Sequence, residues 1–207
     1  MNTLLLRLAS PLQSWGVDSK FERRATSGEP TKSGVIGLIA AALGRRRDED
    51  LHDLSQLLFG VRIDKPGQVM VDFHTARSTR QTYVTRRYYL EDASFLVGLE
   101  GDAGFLQTLA DAVNRPYFPL FLGRRSCPPT GQLCLGIRNA PLENALRNEP
   151  FIYDGAPASY VFETNDIGAY RQRDIPISFS QQHRKYSYRN VDYQTMHDAF
   201  EGWVGDE

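Results

Sequence analysis

The 207-residue chain predicts a mixed α+β fold. Three observations carry that expectation: a Leu-rich strand at the start, a well-capped apolar helix after it, and alternating strand patterns that frame a second amphipathic helix. Thr3 to Ala9 is a short apolar run with polar flanks, the pattern of a strand buried on both faces. It stops at Ser10-Pro11, and Leu12-Gln13-Ser14-Trp15-Gly16 follows as a turn bearing an aromatic side chain. Such a Trp can stack on a base or pin the loop to the core. Residues 17–32 are polar and punctuated by Gly and Pro, an irregular link.

A helix is expected within the stretch Pro30 to Gly44, with Thr31 or Ser33 as its cap and apolar residues at 35, 36, 38, 39, 42 and 43. Gly44 and the arginines behind it form the stop signal. Free N–H groups at the helix start, the positive dipole end, Lys32 and two hydroxyls make a cradle for a phosphate, or simply an ordinary cap. A second helical pattern covers Asp48 to Phe59, with Leu51, Leu54, Leu57 and Leu58 on one face. Val61-Arg62-Ile63 and Val69 to Phe73 alternate like strands joined by the turn Lys65-Pro66-Gly67. Segment 76–89, rich in Arg, Thr and Tyr, suits a protruding hairpin or long loop. Phe95 to Leu99 reads as a buried strand and Phe105 to Val113 as an amphipathic helix. Strand, helix, strand, strand, helix and a closing strand is the order of a ferredoxin-like, RNA-recognition-motif-like sheet with the Arg-rich segment inserted at one edge. The expected division is a palm over 1–115, then a basic loop and small C-terminal β region over 116–207 packed on it. Pro141 to Asn148 is a helical turn, and Tyr160-Val161-Phe162, Ile175 to Phe179 and Tyr186 to Tyr193 are the strands of that region.

Charge narrows the function. The net charge is −1, yet twenty of the twenty-four cations are arginine, the side chain suited to forked recognition of phosphate. Two stretches hold no acid: Phe73 to Leu90, with Arg77, Arg80, Arg86 and Arg87, and Ala112 to Leu142, with Arg115, Arg124, Arg125 and Arg138. Local basic stretches in a near-neutral chain point to a polyanion groove on an otherwise ordinary surface. No phosphate-loop, dinucleotide or nucleophile-elbow motif occurs, and the four histidines and two cysteines have no metal-ligand spacing. No cofactor or metal is expected. Nor does any apolar run reach the roughly 20 residues of a membrane span, so a cytoplasmic protein without a secretory signal is expected. His74 near Tyr83 and Lys32 is the one candidate for metal-free acid–base cleavage of RNA. A strand-end histidine simply held by a hydrogen bond is the preferred reading.

Three ordered stretches resemble the CasD family, the CRISPR-associated family-five subunit of type I-E Cascade. They are Leu6 to Gly16, Pro30 to Gly44, and Leu122-Gly123-Arg124-Arg125-Ser126-Cys127-Pro128, with smaller echoes at Phe73-His74-Thr75 and Tyr89 to Phe95. The resemblance runs to about residue 130. It implies a palm, a thumb hairpin over 76–89, and a non-catalytic subunit that grips the 5′ handle of the CRISPR RNA. The partners implied are the adjacent backbone subunit and the large PAM-reading subunit, with target DNA reached only through the complex. The implied RNA-facing residues are Gln13, Ser14, Trp15, Lys32 and Ser33, the clamp Gly123, Arg124, Arg125 and Ser126, His74 just before the thumb, and on the thumb Arg77, Arg80, Arg86 and Arg87. The alternative is a metal-independent endoribonuclease processing repeat RNA, as in the type I-C branch, for which no matching Tyr, Lys and His cluster is evident here.

Overall fold

The computed structural model describes residues 1–16, 23–77, 82–151, 159–166 and 169–195. Its strand β1 (Asn2–Ala9) is central, and the Leu run explains why. Leu4, Leu6 and Leu8 face one core and Leu5 faces another on the opposite side. A strand covered on both faces needs no polar alternation.

Antiparallel neighbours flank β1. On one side lies β7 (Ser94–Gly101), on the other β8 (Cys134–Arg138). Beyond β7 comes β4 (Leu58–Lys65), so the chain order β1, β4, β7, β8 becomes the spatial order β4-β7-β1-β8. Helix α1 (Lys32–Ala42) links β1 to β4, and α3 (Ala103–Asn114) links β7 to β8. Both cover the face bearing Leu4, Leu6 and Leu8. Thr31 caps α1, its hydroxyl accepting from the Gly34 N–H at 3.2 Å. Asp102 caps α3 by accepting from Gly104 and Phe105. On the other face α4 (Leu142–Asn148) seats Leu142, Ala145 and Leu146 against Leu5, Leu96, Tyr160 and Phe162.

The C-terminal strands are β9 (Ser159–Thr164), β10 (Tyr170–Ser178) and β11 (Lys185–Thr195). They extend the sheet already described. β9 hydrogen-bonds to the free edge of β4, and the one sheet runs β10-β11-β9-β4-β7-β1-β8. Residues 116–207 therefore supply strands to both edges of the sheet built by 1–115.

A second, smaller sheet grows on the hairpin of β5 (Gln68–Arg77) and β6 (Thr82–Glu91), which pair along their whole described length. The other edge of β6 is shared by two short strands. β2 (Leu12–Gln13) pairs antiparallel with its end, and β3 (Arg23–Arg24) runs parallel beside Arg86 and Arg87.

Several expectations are corrected here. The helix read over Asp48 to Phe59 shrinks to α2 (His52–Ser55), because from Leu58 onward the backbone pairs with β7. Leu51, Leu54 and Leu57 are still buried, while Leu58 is exposed. The runs around Val61 and Val69 are both strands but not partners. Both edges of β4 are taken by β7 and β9, so past the Pro66-Gly67 turn β5 joins the other sheet. The hairpin also begins earlier than residue 76 and ends later than 89.

Candidate nucleic-acid interface

The turn after β1 is fixed by a buried glutamine. Gln13 donates from Nε2 to the carbonyls of Leu8 (3.1 Å) and Ala93 (2.8 Å), and its Oε1 accepts from Trp15 Nε1 at 3.2 Å. Trp15 is fully buried, its backbone N–H donating to Thr26 Oγ1 at 2.8 Å. The first turn of α1 lies against the indole: a Cβ at Gly34 would stand 2.8 Å from Trp15 Cε3. The glycine after Ser33 is thus a close-approach residue.

The loop from Leu122 to Cys127 docks on the same turn. The Leu122 carbonyl accepts from Ser14 N–H at 3.1 Å, and buried Leu122 and Cys127 anchor the loop ends. Gly123 has φ +85°, and a Cβ there would lie 1.6 Å from the Ser14 carbonyl oxygen. Only glycine permits that approach. Ser14 itself reaches β6, its hydroxyl donating to the Tyr88 carbonyl at 3.2 Å. Helix start, aromatic turn and arginine loop therefore converge on one another, with Ser14 and Trp15 as the joint.

Around that joint three arginine pairs meet. Arg23-Arg24 lies in register with Arg86-Arg87, and Arg124 Nη2 donates to the Arg24 carbonyl at 2.9 Å. The Arg124 guanidinium sits 4.4 Å above the Tyr89 ring. Burial raises the Tyr89 phenol, but hydrogen bonds from Arg124 and Ser126 outweigh it and hold the pKa below its ordinary value. Arg24, Arg125 and Ser126 are exposed, while Arg87 and Arg124 are half-buried. Arg87 Nε and Arg124 Nη1 are buried without a hydrogen-bond partner among the described residues. Arginines brought together here with unused donor nitrogens could hold an anion.

The pleat divides the hairpin residues between two faces. Arg87, Tyr89 and His74 share one face with Arg24's register position. His74 Nε2 pairs there with Asp72, both side chains half-exposed. Arg86 and Arg77 lie on the other face, where Arg86 stands 5.9 Å from the Phe73 ring centroid beside exposed Val84. Arg80 lies outside the described residues.

The structure places four of the implied RNA-facing residues in its interior. Gln13, Ser14, Trp15 and Lys32 are each no more than 2% exposed, so they shape the joint and their side chains do not present a surface. Lys32 is bonded through Nζ to Glu163 at 2.8 Å. Burial lowers its pKa despite that carboxylate. The phosphate cradle expected at the start of α1 already holds an anion from the chain itself. The Lys32 N–H donates to Asp174 Oδ2 at 2.8 Å, and Asp174 is ion-paired to Arg189 at 2.7 Å. Asp174 of β10 takes the Lys32 N–H at the positive end of the dipole, and the Thr31 hydroxyl takes that of Gly34. Ser33, half-exposed, remains at the rim with its hydroxyl 3.4 Å from that of Thr31.

The residues that sequence reading missed are Arg24 and Tyr89. Arg24 carried a usable signal, since Arg23-Arg24 repeats the doublet form of 86–87 and 124–125. Nothing local announced that β3 would run parallel to β6.

The sequence and the overall fold are similar to those of known proteins. The family model described as CRISPR-associated protein (Cas_Cas5) matches residues 3–192. The CRISPR system Cascade subunit CasD of Escherichia coli (strain K12) is 38% identical over 172 residues, covering 71% of this chain and 77% of that protein. A solved structure described as a crystal structure of a Cas protein superposes with TM-score 0.80 at 41% identity, covering 94% of each chain. A chain of a CRISPR RNA-guided surveillance complex gives TM-score 0.80 at 35% identity, covering 93% of this chain and 89% of its own. This chain belongs to the Cas5 family of CRISPR-associated proteins.

Proposed function

We propose that this chain is a non-catalytic subunit of a type I-E Cascade surveillance complex, and that it binds and caps the 5′ handle of the CRISPR RNA. The observation that carries the reading is the meeting of Arg24, Arg87 and Arg124 beside Tyr89, with donor nitrogens left unpartnered. Guanidinium forks suit phosphates, and the exposed Arg125 and Ser126 suit the edges of splayed single-stranded bases. The spatial order β4-β7-β1-β8 supports reading the sheet as a ferredoxin-like palm, and β5–β6 as its thumb. Residues 1–115 supply three of the palm's four strands, while 116–207 adds the clamp loop, the fourth palm strand β8, and the strands beyond β4.

The outer face of the hairpin suits a protein partner. Val69, Phe73 and Val84 are 64%, 62% and 55% exposed on it, beside Arg77 and Arg86. An apolar face edged with arginine fits the adjacent backbone subunit or the large subunit. No described helix is long and apolar enough to cross a membrane, and the proposed place of work is the cytoplasm. Target DNA is reached through the complex, where guide pairing reads its sequence.

The test is retention of guide RNA by the assembled complex carrying Arg124→Ala and Arg125→Ala. Each lost charge-assisted contact is worth about 1.5–3 kcal/mol, so losing two should lower retention about a hundredfold or more. Unaltered retention would remove the clamp. The endoribonuclease reading asks Lys32 to act with His74 on RNA, but the Lys32 ammonium is interior and held by Glu163. Repeat RNA incubated with the protein in EDTA should remain intact, and cleavage would restore that reading.

A further inference from the structure

The far edge of the main sheet carries a second set of cations that the clamp does not use. Between Tyr170 and Asn190 there are five Arg or Lys residues and a single acid, Asp174. Asp174 is 2% exposed and committed to Arg189 and to the start of α1. Arg171, Arg173, Arg184 and Lys185 are all exposed. That segment therefore shows only positive charge to its surroundings.

The charge is organised around an aromatic ring. Arg171, Asn190 and Thr164 stand directly across from one another on β10, β11 and β9. Tyr188, two residues before Asn190, shares their side of the sheet. The guanidinium groups of Arg171 and Arg173 lie 4.7 and 6.0 Å from its ring centroid, and the ring is 51% exposed. Arg171, Tyr188, Asn190, Thr164 and Asn165 border an open depression of about 500 Å³. The acid on its wall, Glu163, is neutralised by Lys32.

We propose that this β9–β11–β10 face is a second nucleic-acid site, taking single-stranded nucleic acid by its phosphates and by one stacked base. Two arginines supply the phosphate contacts, Tyr188 the stacking platform, and the Asn and Thr side chains hydrogen-bond partners for a base edge. An extended peptide would want apolar pockets, and this lining is polar. Asn and Thr side chains each both donate and accept, so they select no particular base, and the site suits a strand that passes over it. RNA and DNA share this chemistry.

The test uses the full-length chain carrying Arg124→Ala and Arg125→Ala, which silences the clamp, with fluorescent oligouridylate and oligodeoxythymidylate as probes at low salt. Adding Arg171→Glu and Arg173→Glu should weaken binding about tenfold or more, and should flatten the salt dependence by about 0.7 per lost contact. Tyr188→Leu should weaken it about fivefold or more with the salt slope unchanged. Loss with both probes assigns the shared backbone chemistry, and loss with one assigns that strand as the ligand. These exposed substitutions should leave the melting temperature in place. Guide retention by the assembled complex should also hold, which separates this site from the clamp. Unaltered affinity for both probes, or no binding by the clamp-silenced chain before the new substitutions, would overturn the proposal.

Discussion

Gly123→Ala is the substitution that interrogates the joint between the arginine loop and the aromatic turn. Gly123 holds φ +85°, a conformation that costs a residue with a Cβ about 1–2 kcal/mol. The new methyl would also sit 1.6 Å from the Ser14 carbonyl oxygen, where relief requires a backbone shift of more than an ångström. Such a shift breaks the 3.1 Å bond from Ser14 N–H to the Leu122 carbonyl, worth about 1 kcal/mol. The total is about 3 kcal/mol, or about 6–12 °C in melting temperature for a chain of this size. Gly16→Ala, one residue past the turn and with nothing within 4 Å of its Cβ, is the matched control and should melt near the parent. Thermal melts followed by circular dichroism measure both. Should Gly123→Ala melt within about 2 °C of Gly16→Ala, the docking of the loop on the turn is wrong. The same variant should release guide RNA from the assembled complex, because Arg124 moves with the loop.

Trp15→Ala should cost about 3–5 kcal/mol, since it empties the space between α1 and the turn and leaves Gln13 Oε1 without its donor. Trp15→Phe should lose less stability, and chemical denaturation compares the two. Lys32→Met should be strongly destabilising because Glu163 is left behind, whereas Lys32→Met with Glu163→Leu should recover most of the loss in the same denaturation assay. Tyr193 tests the link between the C-terminal strands and the approach to α1. Burial first, then Glu29, push its pKa up to about 12 from the usual 10. A raised folded-state pKa adds stability that is complete below pH 10 and is lost as pH rises toward 12. Tyr193→Phe should flatten that part of the stability profile and remove one late-titrating phenol from the ultraviolet titration.

Much of the fold was legible because its signals are local. The Leu run of β1, the Thr31 cap and the apolar face of α1 each sit within a few residues, so sequence reading located them well. The α2 error shows the limit. Leu51, Leu54, Leu57 and Leu58 have helical spacing, but a vacant edge of β7 captures the chain from Leu58. Tertiary pairing outweighs local periodicity there. Strand partners were the least legible, since nothing near Val61 says that β9, almost a hundred residues on, fills its other edge.

For the site, the convergence of three distant motifs was readable, and the exposure of their side chains was not. Gln13, Trp15 and Lys32 look like surface polar and aromatic groups in the sequence. Their burial depends on partners at Ala93, Gly34 and Glu163, which no spacing reveals. The start of α1 is the plainest case: its unpaired N–H groups invite a phosphate, and Asp174, remote in sequence, takes the place. Arg24 entered the cluster only through the parallel pairing of β3 with β6.

Photo-crosslinking tests the central claim most directly. A crosslinkable uridine in the 5′ handle of the guide, irradiated in the assembled complex and mapped by mass spectrometry, should mark peptides containing Arg24, Arg87 to Tyr89 and Gly123 to Ser126. Adducts confined to other parts of the chain, with those peptides unmodified, would show that the handle rests elsewhere and would contradict the account.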